Sequence, residues 1–211
     1  TGVRPVKLLR RLAEESNEEQ AVKKFEKDFF VSNEKIALSR ETEHNERKIL
    51  ELSKPESFSL YVGIPFCPSR CSYCSFVMAS IERAEKLIEP YTKLLCEEIK
   101  RTAEIANKLG LRLETVYFGG GTPTTLSAEQ LDTVLRTVNK SFDMSTCREF
   151  TVEAGRPDTI DIAKLFALKE NKVDRISINP QTVNDEVLKT IGRKHTCLLY
   201  TSPSPRDRSV S

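Results

Sequence analysis

Cys67, Cys71 and Cys74 stand in the run Phe66-Cys67-Pro68-Ser69-Arg70-Cys71-Ser72-Tyr73-Cys74, a C-x3-C-x2-C spacing that directly follows the strand-like segment Phe58 to Ile64. Three thiolates on one short loop can hold three irons of a cubane iron–sulfur cluster and leave the fourth iron open to a small molecule. The same residues admit other readings. Zinc favours paired C-x2-C units and closed four-ligand sites, whereas Cys96 and Cys147 are isolated and both histidines are distant. Disulfides suit a secreted, Cys-dense chain, and no signal-peptide pattern is visible. Plain structural thiols are the third possibility.

A second run, Tyr117-Phe118-Gly119-Gly120-Gly121-Thr122-Pro123, follows the alternation Leu111, Leu113, Thr115, Val116. Consecutive glycines at a strand end let a ligand approach the backbone and expose its N–H and C=O groups. A bare turn is the alternative. Glu153, Gln181 and Arg193 are lone polar residues at strand or helix ends, where most such residues are solvated or capping. Cys96 reads as a small packed residue on a helix, Cys147 as a loop residue, and neither His44 nor His195 carries chemistry.

Together these residues resemble the radical SAM superfamily, and in detail its oxygen-independent coproporphyrinogen III oxidase (coproporphyrinogen dehydrogenase) group of clostridial type. The matching segments are Tyr61 to Phe66, Tyr117 to Pro123, Thr151-Val152-Glu153-Ala154-Gly155-Arg156-Pro157-Asp158, Arg175 to Thr182 and Ile191 to Thr196. The leader Thr1 to Leu8 looks like the linker region of the same group. Three positions depart from the best-known oxidases, which carry histidine at Gly63, a fourth cysteine at Phe76 and a Gly-Val-Gln-Ser type run at Asn179-Pro180-Gln181-Thr182. Lacking the fourth cysteine also resembles the haem chaperones of the superfamily.

The resemblance implies a (β/α)6 partial barrel and a 4Fe–4S cluster on Cys67, Cys71 and Cys74. The open iron would chelate S-adenosylmethionine, whose sulfonium splits on one-electron reduction to methionine and a 5′-deoxyadenosyl radical. That radical takes a hydrogen from a porphyrinogen propionate, and loss of carbon dioxide leaves a vinyl group. By the same resemblance Tyr61 lies beside the cofactor and Tyr73 stacks near adenine. Gly120, Gly121 and Thr122 line the methionine moiety, Glu153 and Gln181 take ribose or amino groups, and Arg193 pairs with a carboxylate, which a bidentate guanidinium fits best. The implied partners are the porphyrinogen and an electron donor of flavodoxin or ferredoxin type. A haem-binding chaperone of the same fold is the alternative function.

The elements that position these residues alternate strand and helix. Phe58 to Ile64, Leu113 to Phe118, Glu149 to Ala154 and Val173 to Ile178 read as strands. Pro90 to Leu109 reads as a helix with Pro90 in its first turn, Leu94, Leu95, Ile99 and Ala103 on one face, and Gly110 as stop. Ser127 to Val138, Asp158 to Leu168 and Asn184 to Ile191 read as further helices. Repeated βα units predict an α/β fold with a parallel sheet, and each motif falls at a strand's carboxyl end, where such sheets place their chemistry. Residues 1–55 read as a helical leader, with Ser16 and Glu19 as a capping box, an apolar stripe Val22, Phe25, Phe29, and a helix from Asn33 to Leu52. That stripe looks too thin for a self-sufficient domain.

Residues 56–196 read as the N-terminal part of the barrel. Residues 197–211 resemble a sequencing adapter read as coding sequence, which predicts a non-native, disordered tail that packs against nothing. With the start at Thr1, this predicts a fragment that is inactive alone, its last strand an exposed apolar edge. The net charge is +2, which argues for neither nucleic acid nor an anionic membrane, and no apolar run approaches the ~20 residues of a membrane span. Free thiols predict a reducing cytoplasm, and the fold is expected to act as a monomer.

Overall fold

The structure, a computed structural model, describes residues 4–76 and 78–199. The chain divides into two compact units, 1–55 and 56–211. The first holds helices α1 (Pro5–Glu15), α2 (Glu18–Lys27) and α3 (Asn33–Leu50). Each helix has only a narrow apolar stripe, but the three stripes pool into one small core of Leu9, Leu12, Ala21, Phe25 and Ile36. Arg10 ties α1 to α3 through Glu43 and Glu46. The cap of α2 is Asn17, which accepts from the Gln20 N–H, and not the expected Ser16. The Ser16 hydroxyl instead donates back to the Leu12 carbonyl at the end of α1.

In the second unit, β1 (Ser57–Ile64), β4 (Arg112–Gly120), β5 (Glu149–Glu153) and β6 (Arg175–Ser177) form one parallel sheet in the order β1-β4-β5-β6. Two short strands, β2 (Phe66–Cys67) and β3 (Ala79–Ser80), pair in parallel beside it. The helices are α4 (Ile81–Lys108), α5 (Ala128–Ser141), α6 (Ile162–Glu170) and α7 (Asp185–Thr190). Strand alternation sends Val62 and Ile64, Val116 and Phe118, and Phe150 and Val152 to one face. There they meet Leu95 and Ile99 of α4 and Leu131, Val134, Leu135 and Val138 of α5 in one core.

The residues that alternate with them, Ser59, Tyr61 and Gly63 on β1 and Thr115, Tyr117 and Gly119 on β4, take the other face. Tyr61 pairs in register with Tyr117, and Gly63 with Gly119.

Several boundaries differ from the sequence expectation. Helix α4 begins at Ile81, so Pro90 lies inside it. A proline there removes one i→i−4 bond, but Pro90 and Lys86, whose carbonyl loses that donor, are both exposed. Burial at Ala84, Ile88, Thr92, Leu95, Ile99, Ala103 and Ala106 continues unbroken past the proline, while Leu94 faces outward. Asp158 belongs to a 3-10 turn (Pro157–Thr159), and α6 starts only after Asp161, which caps it. The last strand is shorter than expected. It is an edge strand, but its Arg175 is exposed and Ile176 packs on the core, so the edge is not a bare apolar one. Of the expected tail, Cys197–Leu199 form one 3-10 turn, and the Cys197 N–H donates to Asp185; the rest lies outside the described residues.

Two substitutions test this packing. Phe150, 1% exposed and tilted against Phe118, leaves a cavity when cut back, so Phe150→Ala should lower urea-unfolding stability by about 3–5 kcal/mol. Ser127 caps α5 in a full capping box with Gln130, and Ser127→Ala should cost only about 1 kcal/mol.

Candidate cofactor site

The carboxyl ends of β1, β4, β5 and β6 surround a cleft of about 210 Å³. Cys67, Cys71, Tyr73, Cys74 and Phe76 line it from the cysteine loop, and Gly120, Gly121 and Thr122 from the end of β4. Glu153, Gly155 and Arg156 line it from the end of β5, and Asn179, Gln181 and Arg193 from beyond β6. Every residue anticipated for the site is therefore gathered there except Tyr61.

The glycine turn works differently from expectation. The Gly121 N–H donates to the Ile64 carbonyl at 2.7 Å and the Thr122 N–H to the Phe66 carbonyl at 2.8 Å. These donors are engaged by the chain itself. A Cβ on Gly121 would lie 2.6 Å from the Phe66 oxygen and 2.9 Å from that of Ile64. The glycine thus admits the backbone that leads into Cys67. That approach brings the Thr122 hydroxyl to 3.2 Å from the Cys67 sulfur. Burial pushes the Cys67 thiol up, while the Thr122 hydrogen bond and the Arg156 charge pull it down, and Cys71 and Cys74 oppose them.

Glu153 is held from the sheet side. The Tyr117 hydroxyl donates to Glu153 Oε1 at 2.6 Å, and Tyr61 stacks on Tyr117 with ring centroids 5.9 Å apart. Tyr61 is 61% exposed and stands away from the cleft, above the ring that orients Glu153. The Glu153 hydrogen bond, helped by partial burial and the carboxylate charge, pushes Tyr117 up to about 12. In the sequence Tyr117 stands out only as part of a motif. Its signal is the register that sets it one strand away from Glu153.

Beyond β6, Arg193 is 9% exposed. Nη1 donates to the Gly155 carbonyl at 2.5 Å and Nη2 to the Tyr73 hydroxyl at 3.0 Å. Among the described residues its Nε has no partner. Gln181 has φ 68° and sits at the centre of a tight turn closed by the Thr182 N–H on the Pro180 carbonyl at 2.9 Å. A γ-turn with positive φ is rare and strained for a non-glycine residue. The same carbonyl accepts from His195 Nε2 at 3.3 Å, so a histidine without assigned chemistry steadies the turn that carries Gln181. Arg156 was missed altogether. It stands in the Glu-Ala-Gly-Arg-Pro run, but nothing in the sequence marks it as 2% exposed.

The cysteines suit a cluster. All six in the chain are free, and only the three of the loop share the cleft. Among the described residues, no three His, Cys, Asp or Glu side chains stand close enough together to hold a metal ion. A cubane cluster asks for one thiolate on each of three separate irons. The unpartnered Nε of a buried arginine that lines the cleft suits an anionic group such as a carboxylate.

The family model of the radical SAM superfamily matches residues 61–197, and the chain belongs to that superfamily. Over 200 residues, 93% of its length, it is 40% identical to the oxygen-independent coproporphyrinogen-III oxidase-like protein HemZ of Bacillus subtilis (strain 168), of which it covers 40%. It is 41% identical over 146 residues to the heme chaperone HemW of Lactococcus lactis subsp. lactis (strain IL1403), covering 69% of this chain and 35% of that one. A solved structure of the coproporphyrinogen III oxidase HemN of Escherichia coli, a radical SAM enzyme, superposes with a TM-score of 0.61 at 26% identity over 72% of this chain and 34% of that one. The chain thus spans 40% or less of the length of each. Its α/β fold, with a parallel sheet like that of the radical SAM barrel and a helical leader earlier in the sequence, is the one the sequence predicts.

The Tyr117–Glu153 bond yields a titration test. A tyrosine whose folded pKa lies above its unfolded value stabilises the fold fully below about pH 10 and loses that contribution as pH rises toward 12. Tyrosinate absorbance should show one tyrosine titrating near 12, and Glu153→Gln should return it toward the ordinary value.

Proposed function

We propose that the protein of which this chain is part is a radical SAM oxidoreductase of porphyrin biosynthesis. It would oxidatively decarboxylate the propionates of coproporphyrinogen III to give protoporphyrinogen IX. The observation that carries this reading is the convergence of Cys67, Cys71 and Cys74 with Arg193, Glu153 and the Gly120–Thr122 turn on one cleft. The three cysteines would hold a 4Fe–4S cluster, which with S-adenosylmethionine supplies a carbon radical able to take hydrogen from an unactivated position. The chain's own residues bind and orient. Arg193 would hold the carboxylate of S-adenosylmethionine on its fork. Glu153, fixed by Tyr117, would accept hydrogen bonds from ribose or amino groups, with Gln181 across the cleft. Tyr73, whose hydroxyl is already held by Arg193, would pack against the adenine.

Electrons would come from a donor of flavodoxin or ferredoxin type, in a reducing cytoplasm that keeps the thiols free. Among the described residues no helix is long and apolar enough to cross a membrane.

A haem-binding chaperone is the second reading, favoured by the HemW similarity and by Phe76, which lines the cleft 62% exposed where a fourth cysteine would stand. Anaerobic assay of the full-length protein separates the two. Carbon dioxide release from coproporphyrinogen III supports the enzyme, whereas tight haem binding without decarboxylation supports the chaperone.

Two substitution sets test the site. Alanine at Cys67, Cys71 or Cys74 should abolish the brown chromophore and the bound iron and sulfide, and Cys96→Ala, in the core, should leave both intact. Arg193→Ala should weaken S-adenosylmethionine binding about tenfold or more, the usual consequence of losing charge-assisted hydrogen bonds, with iron content unchanged.

A further inference from the structure

Arg156 lies just past β5, buried at the rim of the cleft. Burying a guanidinium is expensive unless its donors and its charge are met. Its two Nη groups meet backbone and hydroxyl oxygens. Nη2 donates to the Ser69 carbonyl at 2.6 Å and to the Ser69 hydroxyl at 2.5 Å, and Nη1 reaches the Gly192 carbonyl at 3.5 Å. Ser69 stands between Cys67 and Cys71, and Gly192 immediately precedes Arg193.

Further bonds close the same joint. The Ser69 hydroxyl donates to the Gly192 carbonyl at 2.9 Å, and the Ser72 N–H to the Ile191 carbonyl at 3.1 Å. Gly192 has φ 80°, and a Cβ there would lie 2.9 Å from the Arg70 carbonyl, so only glycine lets the turn sit this close to the loop. On its backbone side, Arg156 is anchored by the Thr159 N–H and hydroxyl on its carbonyl. The Thr159 hydroxyl is in turn bonded to that of Thr124, next to the glycine turn. The guanidinium thus braces the cysteine loop against the segments that carry Glu153 and Arg193.

Its charge is not met in the same way. Among the described residues no carboxylate pairs with Arg156; its partners are neutral oxygens. A buried cation without a counter-ion, facing a cleft lined by three thiols, is arranged for an anionic occupant.

We propose that Arg156 is a positioning residue of the cluster site. It fixes the Ser69 segment of the cysteine loop against the Gly192 turn and offsets the negative charge that three thiolates bring into the cleft. The proposal rests on the cluster reading given above. A positive charge beside a cluster favours its reduced form, and a fork that spans two segments has no equivalent in lysine.

The test compares the parent chain with Arg156→Gln, Arg156→Lys and Ser69→Ala by two readouts. The first is the alkylation rate of each thiol in cluster-free protein, resolved by mass spectrometry, with core Cys96 reporting loss of the fold. The second is the midpoint potential of the anaerobically reconstituted cluster.

In Arg156→Lys, which keeps the charge beside the thiols but loses the fork, Cys71 and Cys74 should alkylate about tenfold faster, the factor expected for lost charge-assisted hydrogen bonds, with Cys96 unchanged and the potential close to that of the parent. In Arg156→Gln, which loses the charge as well, the potential should move negative. Parent-like alkylation in Arg156→Lys overturns the brace, and a parent-like potential in Arg156→Gln overturns the electrostatic role. If Cys96 accelerates equally, the fold has been lost and Ser69→Ala decides. That variant keeps the guanidinium and removes only hydroxyl contacts, so a smaller rise confined to the loop thiols supports the brace and no rise overturns it. A parent that takes up neither iron nor sulfide defeats the cluster reading and with it the electrostatic role, while the alkylation comparison still judges the brace.

Discussion

The approach of the Gly121 backbone to Ile64 and Phe66 is the contact on which the site depends. Strand β1 ends at Ile64, yet the chain must continue in a fixed direction to Cys67. The Gly121 and Thr122 N–H groups extend the ladder past the end of the strand by bonding the Ile64 and Phe66 carbonyls. With a Cβ on Gly121 only 2.6 Å from the Phe66 oxygen, any side chain would push this segment off the sheet. From the other side, α4 presses on the same segment. Tyr91 donates to the Gly63 carbonyl at 2.6 Å, and its ring meets Phe66 edge-on at 5.3 Å. The root of the cysteine loop is thereby held between the sheet and a long helix, and the Thr122–Cys67 contact follows from it.

Charge is distributed around that root with similar economy. The cleft holds two buried guanidiniums, Arg156 and Arg193, against one carboxylate, Glu153, which Tyr117 already engages. Both arginines hydrogen-bond to neutral oxygens, so their positive charge stays available to an occupant. In a partly buried cleft such charges act at reduced dielectric, where they count for more than on the surface. A carboxylate or another anionic group would find a favourable field there.

The four strands of the main sheet, their parallel sense and the motifs at their carboxyl ends are legible in the sequence because each rests on local pattern, whereas the two-residue strands β2 and β3 are too short to leave one. Alternating Val62, Ile64 and Val116, Phe118 cannot be placed otherwise without exposing one apolar set. Less legible were features that depend on what faces a residue. Pro90 looks like a helix start, but it is tolerated inside α4 because its side of the helix is exposed. Asn17 outcompetes Ser16 as a cap one residue away, a difference below the resolution of spacing rules. The glycine turn was recognised as a close-approach site, yet only the fold reveals that the approaching group is the chain's own backbone. Arg156 was invisible because burial of an arginine is decided by partners far away in sequence, at Ser69 and Gly192.

The face of the sheet away from the α4–α5 core differs from the core face in what it carries. Parallel sheets are normally covered on both faces because their strands are apolar throughout. Here the face away from the α4–α5 core carries polar side chains that satisfy one another. Thr115 donates to Ser59, Thr151 to Glu149, and Arg175 lies 3.6 Å from Glu149. Nearer the carboxyl ends, the Tyr61–Tyr117 stack covers the next layer, with the Tyr117 hydroxyl committed to Glu153. This face is graded in exposure, with Ser59 and Arg175 exposed and Thr151 fully buried. It also grades from self-paired polar groups at the amino ends of the strands to unneutralised cations and thiols at the carboxyl ends. Among the described residues, the thiols and the two buried guanidiniums of the cleft thus gather at the end of the sheet where the cysteine loop is fixed.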